Sequence, residues 1–269
     1  MKVFDWNDIQ NVKSDFFEKG SALTIGSFDG PHKGHESLFV SVLNAATEKN
    51  LISGIITFKQ ALPGLKHPVN YAGDIATLQQ RLFQYENKGF DFVVVIDFNE
   101  SFSHISGRDF FEILYKKINL RYIAEGQDFR CGYKGLFGIQ EITDFAFKNG
   151  FEAAFLKLVQ TDGQRISSSS IRKLVQNGEF SVVNELLERS FELYVKTDVS
   201  QDSKLVKIDR KLLKQVAPFS GEYKVLLNGK VNAVLRAEQN FLEISDADFS
   251  ELRIIEKICF KKIHADKKI

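Results

Sequence analysis

The chain has 269 residues, of which 43% are hydrophobic and 26% are charged, an ordinary composition for a globular protein. Its 36 basic and 35 acidic residues give a net charge of +1, which indicates no surface for nucleic acid or for an anionic membrane. The N-terminus has no apolar signal core and no run approaches ~18 apolar residues, so we expect a cytoplasmic protein without a membrane span. Cys131 and Cys259 lie far apart, lack metal-ligand spacing and are expected to be reduced.

Strand and helix patterns alternate over the first two thirds of the chain. Strands are predicted at 21–28, 51–58, 90–97, 121–126 and 151–159. Helices are predicted at 35–50, 76–89, 108–118, 139–150 and 168–178, the last with a serine cap and a terminal glycine. Alternating β and α units of this kind predict an α/β fold with a parallel sheet covered on both faces.

The pattern changes after about residue 188 to short, mostly alternating runs with polar breaks. Asn228–Lys230, with the sequence NGK, is a typical hairpin turn. These runs predict a small antiparallel β domain. We therefore predict two domains, 1–188 and 189–269.

The stretch GSFDGPHKGH, residues 26–35, lies between a predicted strand and a predicted helix. Its three glycines let the backbone turn sharply and approach a ligand. The helix start presents free N–H groups and a positive dipole end, which suits phosphate. His32 and His35 bracket the same place and can donate hydrogen bonds to phosphoryl oxygens. The alternative is a plain strand–turn–helix with incidental polar residues.

The H-x-G-H arrangement after a first strand is the signature of the nucleotidylyltransferase superfamily, and the longer string GSFDGPHKGHESL resembles the bacterial FAD synthetases. These form the adenylyltransferase half of the bifunctional riboflavin kinase/FAD synthetases. Three further stretches resemble the family in the expected order: ENKGFDFVVVIDFNESFSHISGRDFF, EGQDFRCGYKG and RISSSSIR. The resemblance covers about residues 15 to 190 and implies a Rossmann-like nucleotidylyltransferase domain.

The resemblance also implies a reaction, in which AMP passes from ATP to the phosphate of FMN and gives FAD and pyrophosphate. The FMN phosphate would attack the α-phosphorus in line, so catalysis would be positioning and charge stabilisation. Mg²⁺ would accompany ATP with few protein ligands, and the sequence has no dense carboxylate cluster that suggests a protein metal site. The implied partners are the small molecules ATP and FMN.

Three sets of site residues follow from the motifs together with the resemblance. The catalytic set is His32, His35, Ser168 and Arg172. The ATP-binding set is Gly26, Ser27, Phe28, His32, Gly34, His35, Arg165 and Ser169. The flavin-binding set is Phe58, Asp128 and Phe129. Arg172 lies about one helical turn after the serines and can reach back over the helix N-terminus. The alternatives are a plain serine cap, packing for Phe28 and a structural turn at Asp128.

The sequence departs from the family pattern at the flavin side and in the β domain. The family's proline–histidine–proline run is missing after Thr57–Phe58, and Cys131 stands in place of an aromatic residue. The kinase motif G-x-P-T-A-N is not found in the sequence. We therefore expect a shortened, degenerate β domain without riboflavin kinase activity, and FMN from a separate kinase. The alternatives are a related nucleotidylyltransferase with another phosphorylated acceptor, and a non-catalytic flavin- or nucleotide-binding regulator.

Overall fold

The computed structural model describes residues 1–9, 11–12, 14–60, 71–157, 160–161, 164–200 and 202–261. The chain folds as two units. The first unit comprises Met1–Phe28, Gly34–Pro68 and Leu78–Arg165, and the second comprises Asp29–Lys33, Val69–Thr77 and Ile166–Ile269. None of the described helices is long and apolar enough to cross a membrane.

A parallel sheet of six strands organises the described part of the first unit. The strands are β1 (Lys2–Asp5), β2 (Ser21–Ile25), β3 (Ile52–Phe58), β4 (Phe92–Ile96), β5 (Leu120–Gly126) and β6 (Glu152–Leu156). The helices are α1 (Trp6–Ile9), α2 (Lys33–Lys49, of which Lys33 belongs to the second unit), α3 (Leu78–Asn87), α4 (Glu100–Ser103), α5 (Gly107–Lys117) and α6 (Ile139–Asn149). The strand order is β1-β4-β3-β2-β5-β6, and every pairing is parallel.

Two hydrophobic clusters cover the two faces of this sheet. Along β4, Phe92, Val94 and Ile96 belong to one cluster, while Val93 and Val95 belong to the other. Helices α5 and α6 contribute to the first cluster, and helices α2 and α3 contribute to the second. Because successive side chains of a strand point to opposite faces, this division confirms the predicted α/β fold with layers on both faces.

The order of the strands marks where a ligand would bind. The chain runs from β2 to β3 and β4 on one side, whereas β5 and β6 lie on the other side of β2. In open α/β sheets this reversal opens a crevice at the carboxyl ends of the strands. Gly26 and the residues after Gly126 leave the sheet at this point.

An antiparallel sheet of six strands organises the second unit within the described residues. The strands are β9 (Phe191–Asp198), β10 (Val206–Asp209), β11 (Gly221–Leu227), β12 (Val231–Ala237), β13 (Phe241–Ser245) and β14 (Ile254–Phe260), in the order β10-β13-β12-β11-β14-β9. Helices α7 (Ser168–Gln176) and α8 (Phe180–Leu187) also lie in this unit. A separate two-stranded ladder, which belongs to the first unit, pairs β7 (Gln160–Thr161) with β8 (Gln164–Arg165). The predicted antiparallel β architecture is confirmed.

The turn between β11 and β12 follows the sequence prediction. Asn228 and Gly229 both have positive φ angles, 48° and 74°. A two-residue hairpin with positive φ at both central positions matches the twist of the flanking strands and favours Asn-Gly. The Asn228 side chain also donates to Ile254 O (2.7 Å), which ties the turn to β14.

Candidate active site

The first unit contains the turn at which β2 ends, Gly26–Phe28. Phe28 is 5% exposed, has a φ of 41° and packs edge-on against the His35 ring, with ring centroids 5.0 Å apart. A Cβ on Gly26 would lie 2.8 Å from the Phe28 ring, so a larger residue there would have to displace that ring. An aromatic residue in the left-handed region is uncommon and is found where the surroundings hold it. The buried Phe28 ring therefore holds the backbone of this turn in place.

His35 lies in the first turn of α2, directly after the buried Gly34. Its ring is half-buried and contacts both Phe28 and Phe39. The N-terminus of a helix such as α2 carries a positive dipole end that favours an anion. His35 and Gly34 thus lie in the first turn of α2, and the binding of an anion there stays a prediction.

Arg81 of α3 is a site residue that the sequence analysis missed. Its side chain is fully buried and donates to Ser27 O (3.0 Å), Thr57 Oγ1 (2.9 Å) and Phe58 O (2.8 Å). Thr57 Oγ1 also donates to Ser27 O (3.2 Å). One guanidinium therefore joins the turn after β2 to the end of β3. The sequence offers one indication of this role: Arg81 is a charged residue in a helix that packs on the sheet.

The second unit contains the middle of the same motif, and Asp29 is its centre. Asp29 Oδ1 accepts hydrogen bonds from the N–H groups of Ile75 (2.9 Å) and Ala76 (3.2 Å). Asp29 Oδ2 forms a buried ion pair with the Arg172 guanidinium. Next to it, Gly30 has a φ of +62°, and a Cβ there would lie 2.4 Å from Ile75. Asp29 and Gly30 together fix the loop against the segment 71–76.

Arg172 is held within this network. Its Nε donates to Gly73 O (3.0 Å) and its Nη2 to Tyr71 Oη (3.2 Å), in addition to the pair with Asp29. Burial raises the pKa of Tyr71, with Asp29 and Asp74 acting in the same direction, so Tyr71 is a neutral phenol. The guanidinium thus pairs with Asp29. The sequence analysis expects Arg172 to reach back over the N-terminus of its helix, and this stays a prediction.

The structure brings His32 and Ser168 together in the second unit. His32 is 5% exposed, and its Nε2 lies 3.5 Å from Ser168 Oγ, which donates to Asp29 O (3.1 Å). Ser167 caps α7 by accepting from Ser170 N–H (3.1 Å), which confirms the predicted serine cap. Ser169 is exposed at the second position of the helix. Arg165 belongs to β8, and its side chain lies outside the described residues.

An aromatic cavity of about 310 Å³ lies at the carboxyl edge of the parallel sheet. It is lined by residues at or after the ends of β2, β3, β4 and β5, with part of α5. The lining residues are Ile25, Gly26, Phe58, Phe98, Phe102, Ser103, Ile105, Phe110, Phe129, Arg130, Cys131, Gly132 and Gly135. Burial raises the pKa of the Cys131 thiol to about 12, so this part of the wall is neutral. A planar, apolar ligand suits such a lining.

Two of the three residues predicted to bind flavin line this cavity. They are Phe58 and Phe129, whereas Asp128 is exposed on the loop and does not line the cavity as the structure describes it. The sequence analysis assigned no role to Phe98, Phe102 and Phe110, whose rings contact one another at 5.6 and 5.9 Å between centroids. The signal for them was the density of phenylalanines directly after β4.

The described residues contain no group of three or more His, Cys, Asp or Glu side chains that could hold a metal ion. An oxygen-ligand site for Mg²⁺ built by the protein alone would need several carboxylates or carbonyls at one point. In the described ranges, the carboxylate at the loop, Asp29, is engaged by Arg172 and by backbone N–H groups.

Comparison with known proteins places these features in one family. The family model described as FAD synthetase matches residues 15–170. The bifunctional riboflavin kinase/FMN adenylyltransferase of Buchnera aphidicola from Schizaphis graminum is 29% identical over 228 residues, which cover 84% of this chain and 71% of that protein. The protein of the same name from Haemophilus influenzae is 27% identical over 254 residues, which cover 87% of this chain and 81% of that protein.

A solved structure shares the fold along almost the whole chain. It is described as a macrolide-efflux protein from Streptococcus pneumoniae and superposes with a TM-score of 0.78 at 18% identity, covering 97% of this chain and 90% of that one. At this identity the likeness concerns the fold. The family model, in contrast, matches more than half of the chain and includes both the H-x-G-H loop and the cavity residues. The chain therefore belongs to the FAD synthetase family and is a nucleotidyltransferase.

Proposed function

We propose that the chain transfers AMP from ATP to FMN and releases FAD and pyrophosphate, with ATP entering as its Mg²⁺ complex. The observation that carries this proposal is the aromatic cavity, which begins at Ile25 and Gly26, the residues where β2 runs into the H-x-G-H loop. An aromatic cavity suited to a ring system and a turn suited to phosphate thus share one strand end.

The cavity supports a flavin as the acceptor. The isoalloxazine ring is planar and largely apolar, and the cavity offers the rings of Phe58, Phe98 and Phe129. Aromatic side chains favour offset or edge-on contacts with other ring systems. Arg130 is a positively charged residue in the lining and suits the phosphate of FMN. We assign Phe58 and Phe129 to flavin binding, and Asp128 to the exposed side of the same loop.

The nucleotide would bind through helix ends and the two histidines. In the first unit, Gly34 and His35 stand at the start of α2, and His35 packs against Phe28 of the turn Gly26–Phe28. In the second unit, His32 and the serines stand at the start of α7. Both arrangements suit phosphate oxygens. We propose that His32, His35, Ser168 and Ser169 contact the triphosphate, with Arg165 as a further basic residue.

The proposed reaction needs no covalent intermediate. A phosphate oxygen of FMN attacks the α-phosphorus in line and pyrophosphate leaves, so the protein has to position the two substrates and stabilise charge on the leaving group. His32 and His35 would provide that stabilisation. Arg172 would act on the loop through its buried pair with Asp29.

The test is to incubate the purified chain with ATP, Mg²⁺ and FMN and to separate the flavins by chromatography. We expect FAD, and its absence would contradict the proposal and favour another phosphorylated acceptor or a binding role. His35→Ala should lose most of the transfer activity while the circular dichroism spectrum and melting temperature stay near wild type. Lys49→Ala, at the exposed end of the same helix, is the matched control and should keep full activity.

The same assay with riboflavin in place of FMN tests for riboflavin kinase activity. The relatives are described as bifunctional, which gives no support to a separate kinase as the source of FMN. The sequence, however, has no G-x-P-T-A-N string. We therefore propose that the chain forms no FMN from riboflavin, and formation of FMN would show that this proposal is wrong.

A further inference from the structure

Two neighbouring strands of the parallel sheet, β2 and β5, separate where the cavity begins. Strands β2 and β5 are paired from Ser21↔Leu120 to Leu23↔Ile123, with a shift after the first pair. Beyond Leu23, β2 continues through Thr24 and Ile25 into Gly26. Divergence of neighbouring strands leaves backbone N–H groups without their ladder acceptors, which is costly inside a protein.

A carboxyl group fills the gap between these strands. Glu125 of β5 is 2% exposed, and its Oε1 accepts from the Ile25 N–H (2.6 Å) and from Thr24 Oγ1 (3.4 Å). On the opposite side, the Gly26 N–H donates to Ile56 O of β3 (3.0 Å). The end of β2 is therefore held by a backbone carbonyl on one side and by a side chain on the other.

The residues held in this way form part of the cavity wall. Ile25 and Gly26 line the cavity, as does Cys131, the group whose pKa rises partly because Glu125 is near. Glu125 itself does not line the cavity as described and lies behind the wall. Its influence on a ligand would therefore pass through the backbone of Ile25 and Gly26.

We propose that Glu125 is a positioning residue for flavin binding, because its carboxyl oxygen fixes the Ile25–Gly26 backbone that forms one wall of the aromatic cavity. This inference rests on the proposed function, since it takes the cavity as the flavin site. It assigns a role to a buried ionisable residue that neither contacts the phosphate loop motif nor belongs to the residues predicted from the sequence.

The charge state of Glu125 determines which substitution preserves this role. Burial raises the pKa of Glu125 well above its usual range, and the hydrogen bonds from Ile25 and Thr24 oppose that shift only in part. Cys131, the titratable group that Glu125 influences, is itself neutral because burial raises its pKa to about 12. Glutamine is uncharged and keeps an acceptor oxygen at the same distance along the side chain.

The experiment compares Glu125→Gln with Glu125→Met, which has a similar length but no strong acceptor. FMN binding without ATP is measured by flavin fluorescence, and exchange of the Ile25 amide by NMR. For Glu125→Met we expect the Ile25 amide to exchange faster and the dissociation constant for FMN to rise about tenfold, because the displaced backbone no longer matches the ligand. For Glu125→Gln we expect a dissociation constant within about twofold of wild type.

Ser21→Ala is the matched control, since Ser21 is buried at the other end of β2 and donates to Ile118 O (2.7 Å). It should lower stability without weakening FMN binding. Where Glu125→Met fails to fold, Glu125→Asp retracts the carboxyl by one methylene and should weaken binding in the same way. The inference is overturned when the Met or Asp variant binds FMN as wild type does, when the Gln variant is as weak as the Met variant, or when Ser21→Ala weakens binding equally.

The outcomes separate this inference from the proposed function. Wild-type protein that binds FMN but forms no FAD would contradict the proposed function and leave the inference intact. Wild-type protein that forms FAD while Glu125→Met binds FMN normally would contradict the inference alone.

Discussion

Asp29 shows, at the scale of a single residue, how the loop is held in the second unit. Its carboxylate accepts two backbone N–H groups from the segment 75–76 and pairs with the Arg172 guanidinium. Both partners of the pair are buried, Asp29 at 3% and Arg172 at 7% exposure. Because a buried charge without its partner is strongly unfavourable, each of the two depends on the other.

Arg172→Met should therefore destabilise the protein by about 3 kcal/mol, since it leaves the Asp29 carboxylate buried without its counter-ion. The double variant Asp29→Asn/Arg172→Met should recover part of this loss. Urea unfolding of the wild type, both single variants and the double variant gives the coupling energy. Lys173→Met, at the exposed neighbouring position, serves as the control. A loss below about 1 kcal/mol for Arg172→Met, or strictly additive effects, would show that the pair does not hold the loop.

The sequence singles out individual residues of the candidate site, but not the contacts that these residues make in the structure. His32, His35 and Ser168 could be proposed as site residues because short motifs place them at helix ends, and their roles stay predictions. The pairing of Asp29 with Arg172 could not, because the two lie 143 residues apart and nothing local in a single sequence links them. Glu125 and Arg81 carried a weaker signal, because each is an ionisable residue within an otherwise packed strand or helix. Specific hydrogen bonds must offset the free-energy cost of burying such a residue.

Arg81 connects elements, because it belongs to α3 and binds both the turn after β2 and the end of β3. We expect Arg81→Met to lower the free energy of unfolding by at least about 2 kcal/mol, since several buried oxygens lose their donor. FAD formation should fall at least about tenfold, because a misplaced turn is costly for positioning. Chemical unfolding and the FAD assay measure the two effects.

Arg108→Met provides the control for this prediction, as Arg108 is an exposed arginine on α5 of the same unit. Arg108→Met should change neither the free energy of unfolding nor the rate of FAD formation. Arg81→Lys keeps the charge without the planar fork and should fall between the wild type and Arg81→Met. Wild-type activity in a folded Arg81→Met protein would contradict the view that this residue positions the turn.

The helices and strands with strong periodicity were predicted within one or two residues at most ends. The helix predicted at 35–50 is α2 (Lys33–Lys49), and the strand predicted at 121–126 is β5 (Leu120–Gly126). Strand β1 was missed because it has four residues and is largely exposed, so it shows neither an apolar run nor clear alternation. The aromatic cavity was missed for another reason: its lining comes from four strand ends, which only the sheet order brings together.

At the scale of the whole molecule, the second unit includes two short segments from early in the chain, Asp29–Lys33 and Val69–Thr77. The Asp74 N–H donates to Lys214 O (3.0 Å), and the Val216 N–H donates back to Asp74 O (2.9 Å). Between them, the buried Gln215 side chain donates to Ile75 O (2.9 Å) and accepts from Tyr194 N–H (2.8 Å). The change of pattern near residue 188 reveals where the strands begin, but such long-range bonds have no local signature. Part of the loop that carries His32 thus depends on residues after 188.

A chain that ends at Glu188 should consequently lose more than the antiparallel sheet. Without Lys214, Gln215 and Val216, the segment around Ile75 loses its backbone and side-chain partners, and Ile75 can no longer present its N–H to Asp29. We expect fast amide exchange at Ile75 and Ala76 and a loss of FAD formation of at least about a hundredfold, the order of effect that misplacement by 1 Å produces. A chain that ends at Lys261 retains every contact named here and should match the full chain, and Gln215→Leu should give a partial loss. Wild-type FAD formation by the chain ending at Glu188 would show that the early segments are held without the C-terminal strands.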